Sequence, residues 1–219
     1  MSEPTYLTIT RAAYDTVAVD YAELLSDELA AKPLDRAMLG TFAELVRGAG
    51  GGGPVGDLGC GPGRVTVHLD SLGLDAFGVD LSPGMIGEAR RRYPGLRFEE
   101  GRMAALDLAD GSLGGVVAWY SVIHTPPELL PAVFAEFHRV LAPGGHLLVA
   151  FQVGDERRHI EEAYGHAGLS YYAYRLRPDH VTELLGRAGI VVDARLVREP
   201  VGAEKQQQAF LLARKPEGA

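Results

Sequence analysis

Residues 55–66 read VGDLGCGPGRVT. A short apolar run closes on Asp57, glycines follow at Gly59, Gly61 and Gly63, and Arg64 opens a stretch with helical spacing. Glycine allows turns that other residues resist, and it lets a ligand approach the main chain without meeting a Cβ. A strand, a glycine turn and a helix N-terminus in succession gather backbone N–H groups at one point. A tight strand–helix turn with no ligand has the same glycines, so the loop alone does not separate the two readings. Its surroundings add weight to the functional one. The next apolar run, AFGVD, ends in Asp80, 21 positions after Gly59, where a carboxylate can hold ribose hydroxyls.

Further out, strands and helices alternate. PVGDLG reads as a buried strand, RVTVHLDSLG as a helix, AFGVD as a strand, and PGMIGEARRRYP as a helix opening on proline. LRFEEG and GGVVAWYS are strands, PPELLPAVFAEFHRVLA is a helix, and GGHLLVAFQ is a strand. Apolar runs without strict alternation mark strands covered on both faces, hence a mostly parallel sheet with helices on either side. The fold class is α/β, a doubly wound sheet of Rossmann type, which places ligands at the carboxyl ends of its strands. After Gln152 the chain turns polar and aromatic, with Tyr164, Tyr171, Tyr172 and Tyr174 close together. RPDHVTELLGRAG then reads as a helix, and IVVDARLVRE and QQAFLLARK as strands.

Before the glycine loop, apolar residues recur at helical spacing from Arg11 to Ala31, Pro33 closes that helix, and LDRAMLGTFAELVRG forms a second. GAGGGGP, residues 48–54, breaks the pattern and delivers the chain into the sheet. The expectation is a single domain over 1–219, with residues 1–50 as a helical lid and 154–177 as a cap segment.

Composition narrows the function. The 219 residues carry a formal net charge of −8, against the basic face that nucleic-acid binding demands. The single cysteine, Cys60, permits no intramolecular disulfide and fits a reducing compartment. The N-terminal MSEPTYLTIT lacks a secretory pattern, and no apolar run approaches a membrane span. A cytoplasmic protein, monomeric or homodimeric, acting on small molecules without nucleic acid or membrane, is the expectation.

Two cofactor classes suit the loop. Dinucleotides call for G-x-G-x-x-G, whereas here the pattern is G-x-G-x-G and Arg64 takes the place of the third glycine. Asp57 beside the loop would repel a pyrophosphate but suits a ligand carrying an ammonium group. Charge and spacing favour S-adenosylmethionine.

VGDLGCGPGRVT, GVDLSPGMIGEAR, EGRMAALDLADGSLGGVVAWYSVIH and FHRVLAPGGHLLVAF, in this order, resemble the successive motifs of class I S-adenosylmethionine-dependent methyltransferases of the small-molecule type. The resemblance spans roughly residues 10–215. It implies a seven-stranded sheet whose last strand is antiparallel, and S-adenosylmethionine as cofactor. It also implies that Asp57 and the loop Gly59, Cys60, Gly61 and Gly63 hold the methionine moiety and that Asp80 binds the ribose. Leu81 and Met85 would flank the adenine, with Met103 near its edge, and Ser121 joins the cofactor set. Arg102 departs from the acidic or small hydroxyl residue of many relatives, which leaves backbone contacts to the adenine there. In such enzymes an N-terminal helix closes over the cofactor, which points to Tyr14.

Methyl transfer needs alignment and exclusion of water, and a base only where the acceptor arrives protonated. His124, just past the fourth strand, is the candidate base, with a corner-filling or cofactor-contact role as the alternative. Tyr14 and Tyr21 share one face of the first helix, Tyr21 as core packing. Tyr164, Tyr171 and Tyr172 are candidates for the acceptor pocket, against an ordinary strand with alternate rings buried. Cys60 reads as packing, since no base stands beside it. The histidines show no metal-ligand spacing, so no metal is expected. The reading is methyl transfer to O, N or C of a small acceptor, with aromatic and natural-product compounds in view. The alternatives are a cofactor-binding relative without methyl transfer and a nicotinamide-dependent oxidoreductase.

Overall fold

Val55, Leu58, Val116, Val117, Leu147, Leu148 and Val149 are all fully buried, and strands apolar on both faces need a layer of helices on each side. The computed structural model, which describes residues 4–48 and 53–218, supplies those layers. The sheet has seven strands, β1 (Val55–Leu58), β2 (Ala76–Asp80), β3 (Arg97–Glu100), β4 (Leu113–Trp119), β5 (Leu141–Gln152), β8 (Val191–Arg198) and β9 (Gln208–Arg214). Their order is β3-β2-β1-β4-β5-β9-β8. The last strand, β9, runs antiparallel to both β5 and β8, and the other pairs are parallel. The strand order reverses between β1 and β4, which opens a crevice at their carboxyl ends.

On one face, Leu39, Phe42 and Val46 of α2 (Pro33–Gly48) and Val65 and Leu69 of α3 (Arg64–Ser71) pack with Val117, Leu148 and Phe210. On the other, Phe134 and Phe137 of α5 (Leu130–Val140) and Val181 and Leu185 of α6 (Pro178–Arg187) meet Leu58, Val116 and Val149. Each fully buried Phe contributes roughly 1.5–3 kcal/mol to this core. The fifth layer helix, α4 (Pro83–Arg92), starts where its residue types direct: Ser82 accepts the Met85 N–H at 3.1 Å and Pro83 fills the first turn. Its Ile86 and Ala89 bury against Phe98 and Cys60.

The N-terminal helix differs from the reading over Arg11–Ala31. α1 runs Thr5–Leu24, and residues 25–31 form hydrogen-bonded turns. Arg36 of α2 holds those turns, donating to the Leu29 and Ala30 carbonyls at 2.6 and 2.5 Å. Leu29 packs against the core from a turn rather than from a helix, and so it mimics helical spacing. In the glycine loop 48–54, residues 49–52 lie outside the described residues. Gly53 beyond them crosses Gly114 so closely that a Cβ on Gly53 would stand 2.9 Å from the Gly114 N.

The polar and aromatic stretch after Gln152 is an antiparallel hairpin, β6 (Arg157–Ala163) and β7 (His166–Tyr174). Its two-residue loop, Tyr164-Gly165, has φ of 53° and 82°, and positive φ at both positions matches the twist of a tight hairpin. Rings alternate along β7: Tyr171 is buried while Tyr172 is 37% exposed, with the Arg157 guanidinium over its face at 4.6 Å. The hairpin lies against α1, joined by the His166 Nε2–Asp20 Oδ2 contact of 2.6 Å. No helix of the described residues is long and apolar enough to cross a membrane.

Candidate active site

The carboxyl ends of β1, β2 and β4 open into a cleft roofed by α1. Its floor is the glycine loop. Gly59 turns at φ 78°, and both its N–H and that of Cys60 donate to the Val79 carbonyl, at 2.7 and 3.1 Å. A Cβ on Gly59 would stand 2.2 Å from that of Ser121, so this glycine lets the ends of β1 and β4 meet. Ser121 Oγ secures the junction by donating to the Leu58 carbonyl at 2.6 Å.

Asp80 organises the loop from the neighbouring strand. Its Oδ2 accepts the Gly61 N–H at 2.8 Å and its Oδ1 accepts the Ser82 N–H at 2.9 Å. Burial raises its carboxyl above the ordinary value, and these backbone donors offset part of the rise. Asp57 is wholly buried. Its Oδ2 accepts from Thr66 Oγ1 at 2.7 Å, while its Oδ1 has no hydrogen-bond partner. Burial pushes its carboxyl up to about 7, with Thr66 and Arg64 pulling the other way. An orphaned buried carboxylate oxygen is costly, and a cationic ligand group in the cleft would satisfy it.

His124 sits in the short turn after β4, partly buried. Its Nδ1 lies 3.2 Å from the Tyr172 carbonyl, which can only accept, so Nδ1 carries the hydrogen. Nε2 therefore accepts from the Tyr14 hydroxyl at 2.7 Å. Burial pushes the imidazole down to about 4, so the ring is neutral at physiological pH. Tyr171 packs at 5.7 Å from the Tyr14 ring and 5.6 Å from that of His124, and burial pushes its phenol up to about 12.

Helix α1 is pinned across the cleft from both sides. Arg11 Nε donates to the Leu81 carbonyl at 3.1 Å. Asp15 Oδ1 accepts from Ser82 Oγ and from the Gly84 N–H, at 2.5 and 2.9 Å. Tyr14 and Asp20 make the contacts to His124 and to the hairpin already described.

Of the residues expected from sequence, Tyr14, Asp57, Gly59, Cys60, Gly61, Asp80, Leu81, Met85, Arg102, Met103, Ser121 and His124 all line this cleft. Gly63 does not line it. At φ 85° it faces Phe98, whose ring a Cβ would approach to 2.7 Å, so it serves the packing of α3 on β3. Tyr164, Tyr171 and Tyr172 are likewise outside the lining; Tyr171 and the Tyr172 carbonyl act on residues inside it. Cys60 packs against Gly78, where a Cβ would stand 2.6 Å from its sulfur, and burial holds its thiol well above the ordinary value. Among the described residues, no group of three or more His, Cys, Asp or Glu side chains is placed to hold a metal.

Other lining residues escaped the sequence reading. Tyr21 faces the cleft rather than only the core. Tyr6 and Leu7 enter because α1 begins before Arg11. Tyr120 turns at φ 54°, strained for a bulky residue, and its hydroxyl is buried without a partner. Nothing in its sequence neighbourhood signals this. Arg64, noted only as a missing glycine, projects into the cleft.

Residues 55–145 match the family described as a methyltransferase domain. A demethylmenaquinone methyltransferase from Beutenbergia cavernae is 34% identical over 137 residues, 63% of this chain and 55% of that protein. A trans-aconitate 2-methyltransferase from Methylobacterium nodulans is 42% identical over 98 residues, 42% of this chain and 36% of that protein. The chain thus spans about half, or less, of the length of these curated relatives. Among solved structures, Burkholderia thailandensis 1,6-didemethyltoxoflavin-N1-methyltransferase with bound 1,6-didemethyltoxoflavin and S-adenosylhomocysteine superposes with a TM-score of 0.74 at 21% identity. That match covers 99% of this chain and 92% of that one. Synechocystis magnesium protoporphyrin IX methyltransferase with bound S-adenosylmethionine gives 0.72 at 17% identity, over 98% and 99% of the two chains. At these identities the likeness is one of fold.

Proposed function

We propose that this chain, a member of the class I S-adenosylmethionine-dependent methyltransferases, transfers a methyl group to a small-molecule acceptor. The observation that carries the reading is the buried, partnerless Oδ1 of Asp57 at the floor of the cleft. It asks for a cation where a glycine loop leaves room for one. A dinucleotide offers a pyrophosphate at that point and would be repelled.

The residues present fit the cofactor. Asp57 would take its ammonium, Asp80 the ribose hydroxyls, and Leu81, Met85 and Met103 the adenine, with Arg102 contributing backbone contacts. When bound, S-adenosylmethionine supplies an electrophilic methyl on a sulfonium centre, so that the protein need not activate the methyl donor. The protein's share is alignment and exclusion of water. Helix α1, with Tyr14 and Tyr21, and the β6–β7 hairpin form the lid and cap that close the cleft.

His124 Nε2 holds the Tyr14 hydroxyl at the mouth and is the site for an acceptor proton. An imidazole held at about 4 is a weak proton sink. It suits acceptors that arrive ionised or ionise readily, such as carboxylates, acidic phenols and enols, in preference to alkyl ammonium groups. The net charge of −8 speaks against a nucleic-acid substrate. The setting proposed is the cytoplasm, with natural-product metabolism among the sources of acceptor and a monomer or homodimer as the working unit.

The test is incubation with methyl-labelled S-adenosylmethionine and a panel of carboxylic acids, phenols, enols and amines. Label should pass to an acidic acceptor, with S-adenosylhomocysteine formed in equal amount. Transfer confined to amines would overturn the acceptor class. Failure to bind S-adenosylhomocysteine at all would overturn the cofactor.

A further inference from the structure

Arg64 is the first residue of α3, where the glycine loop ends. Its side chain lines the cleft and is only 11% exposed. Its ion-pair partner is Glu28, in the turn between α1 and α2, whose Oε2 accepts from Nε at 3.0 Å and from a terminal N–H as well. Glu28 keeps its other oxygen on Lys32 Nζ at 2.6 Å, and Lys32 also reaches Glu204 at 2.7 Å. Glu204 pairs with Arg198 at 2.5 Å, and Arg198 pairs with the buried Asp35 at 2.8 Å. Burial alone would raise the Glu204 carboxyl; hydrogen bonds from Arg198 and Lys32 hold it at about 2 instead. Arg64, Lys32 and Arg198 thus balance Glu28, Glu204 and Asp35.

Two further groups in the same cleft lack partners, Asp57 Oδ1 and the Tyr120 hydroxyl. The cleft therefore offers an unmet carboxylate and a guanidinium whose counter-ion comes from a turn. The amino-acid end of a ligand, with one ammonium and one carboxylate, complements that set without adding net charge.

We infer that Arg64 anchors the carboxylate of the cofactor's amino-acid end, and that Glu28 stands in for that carboxylate until the ligand arrives. This rests on the cofactor reading above. A guanidinium suits the task, because its planar fork matches a carboxylate. Glu28 suits the exchange, because on leaving Arg64 it keeps Lys32 and is not left as an unpaired buried charge. One carboxylate replaces another on Arg64, and Glu28 keeps its contact with Lys32, which it shares with Glu204.

Calorimetry with two probes tests this: S-adenosylhomocysteine, and 5′-methylthioadenosine, which keeps the nucleoside and lacks the amino-acid end. The wild type should bind both, the first more tightly. Arg64→Met should weaken S-adenosylhomocysteine at least about tenfold and leave 5′-methylthioadenosine within about twofold. Glu28→Gln, a near-isosteric change, should tighten S-adenosylhomocysteine by roughly threefold or more and leave the other ligand unchanged; it also serves as the test if Arg64→Met does not fold. Equal losses for both ligands in Arg64→Met, or no loss for either, would overturn the anchor. Weaker S-adenosylhomocysteine binding by Glu28→Gln would overturn the stand-in. A wild type that binds neither probe would overturn the cofactor reading itself, and the anchor with it.

Discussion

Asp57 offers a test in which stability and binding move in opposite directions. Burial pushes its carboxyl up to about 7 in the ligand-free protein, from an ordinary value near 3.8. A ligand ammonium beside Oδ1 favours the ionised form, so binding below neutrality must first remove a proton. Between about pH 5.5 and about pH 7 the ionised fraction rises more than tenfold. S-adenosylhomocysteine affinity should rise by about the same factor, or ~1.4 kcal/mol. Calorimetry at about pH 6 in two buffers of different ionisation enthalpy should show the proton released. Asp57→Asn keeps an oxygen for Thr66 and should flatten the profile while weakening binding at neutral pH. Stability should respond the other way. Because the folded pKa lies above the unfolded one, ionising Asp57 costs stability as pH rises from about 4 through about 7. Asp57→Asn should therefore raise the melting temperature of the ligand-free protein at about pH 8 and not at about pH 4. A flat wild-type affinity profile, or the same slope in the asparagine variant, would refute the reasoning.

Asp80→Ala removes the acceptor of the Gly61 and Ser82 N–H groups together with the expected ribose contact. Calorimetry should show S-adenosylhomocysteine binding weakened by at least about tenfold in a folded protein. Arg198→Met leaves Asp35 buried without its counter-ion, and urea denaturation should show a loss of about 3–5 kcal/mol. Gly63→Ala forces a Cβ to 2.7 Å from the Phe98 ring at φ 85°. It should cost more than ~1 kcal/mol in the same assay, with little effect on cofactor affinity in the fraction that folds.

The centre of the sheet was legible because its strands are largely apolar: runs such as GGVVAW admit no exposed face, and Gly59 to Gly63 mark the first strand–helix turn, whereas the edge strands β3 and β8 are mostly exposed. The cleft-lining carboxylates Asp57 and Asp80 were legible because they stand at the ends of such runs. The extent of α1 was not, because Leu25 and Leu29 keep helical spacing while residues 25–31 form turns whose carbonyls Arg36 of the next helix holds. The hairpin was only half legible. Tyr164-Gly165 is a two-residue turn signal, but which rings face inward depends on α1 packing across β7. The Tyr14–His124 contact spans 110 positions, and the run of ion pairs from Arg64 to Asp35 joins three separate stretches. Nothing local announces either. Gly63 shows the reverse case, a motif residue whose glycine is required by Phe98 and not by the cleft.

The measurement that bears most directly on the central claim is a crystal structure of the protein with S-adenosylhomocysteine. One molecule should lie in the cleft beneath α1, its ammonium on Asp57 Oδ1 and its ribose hydroxyls on Asp80. A nucleoside bound elsewhere, or bound in this cleft with its ammonium turned away from Asp57, would contradict it.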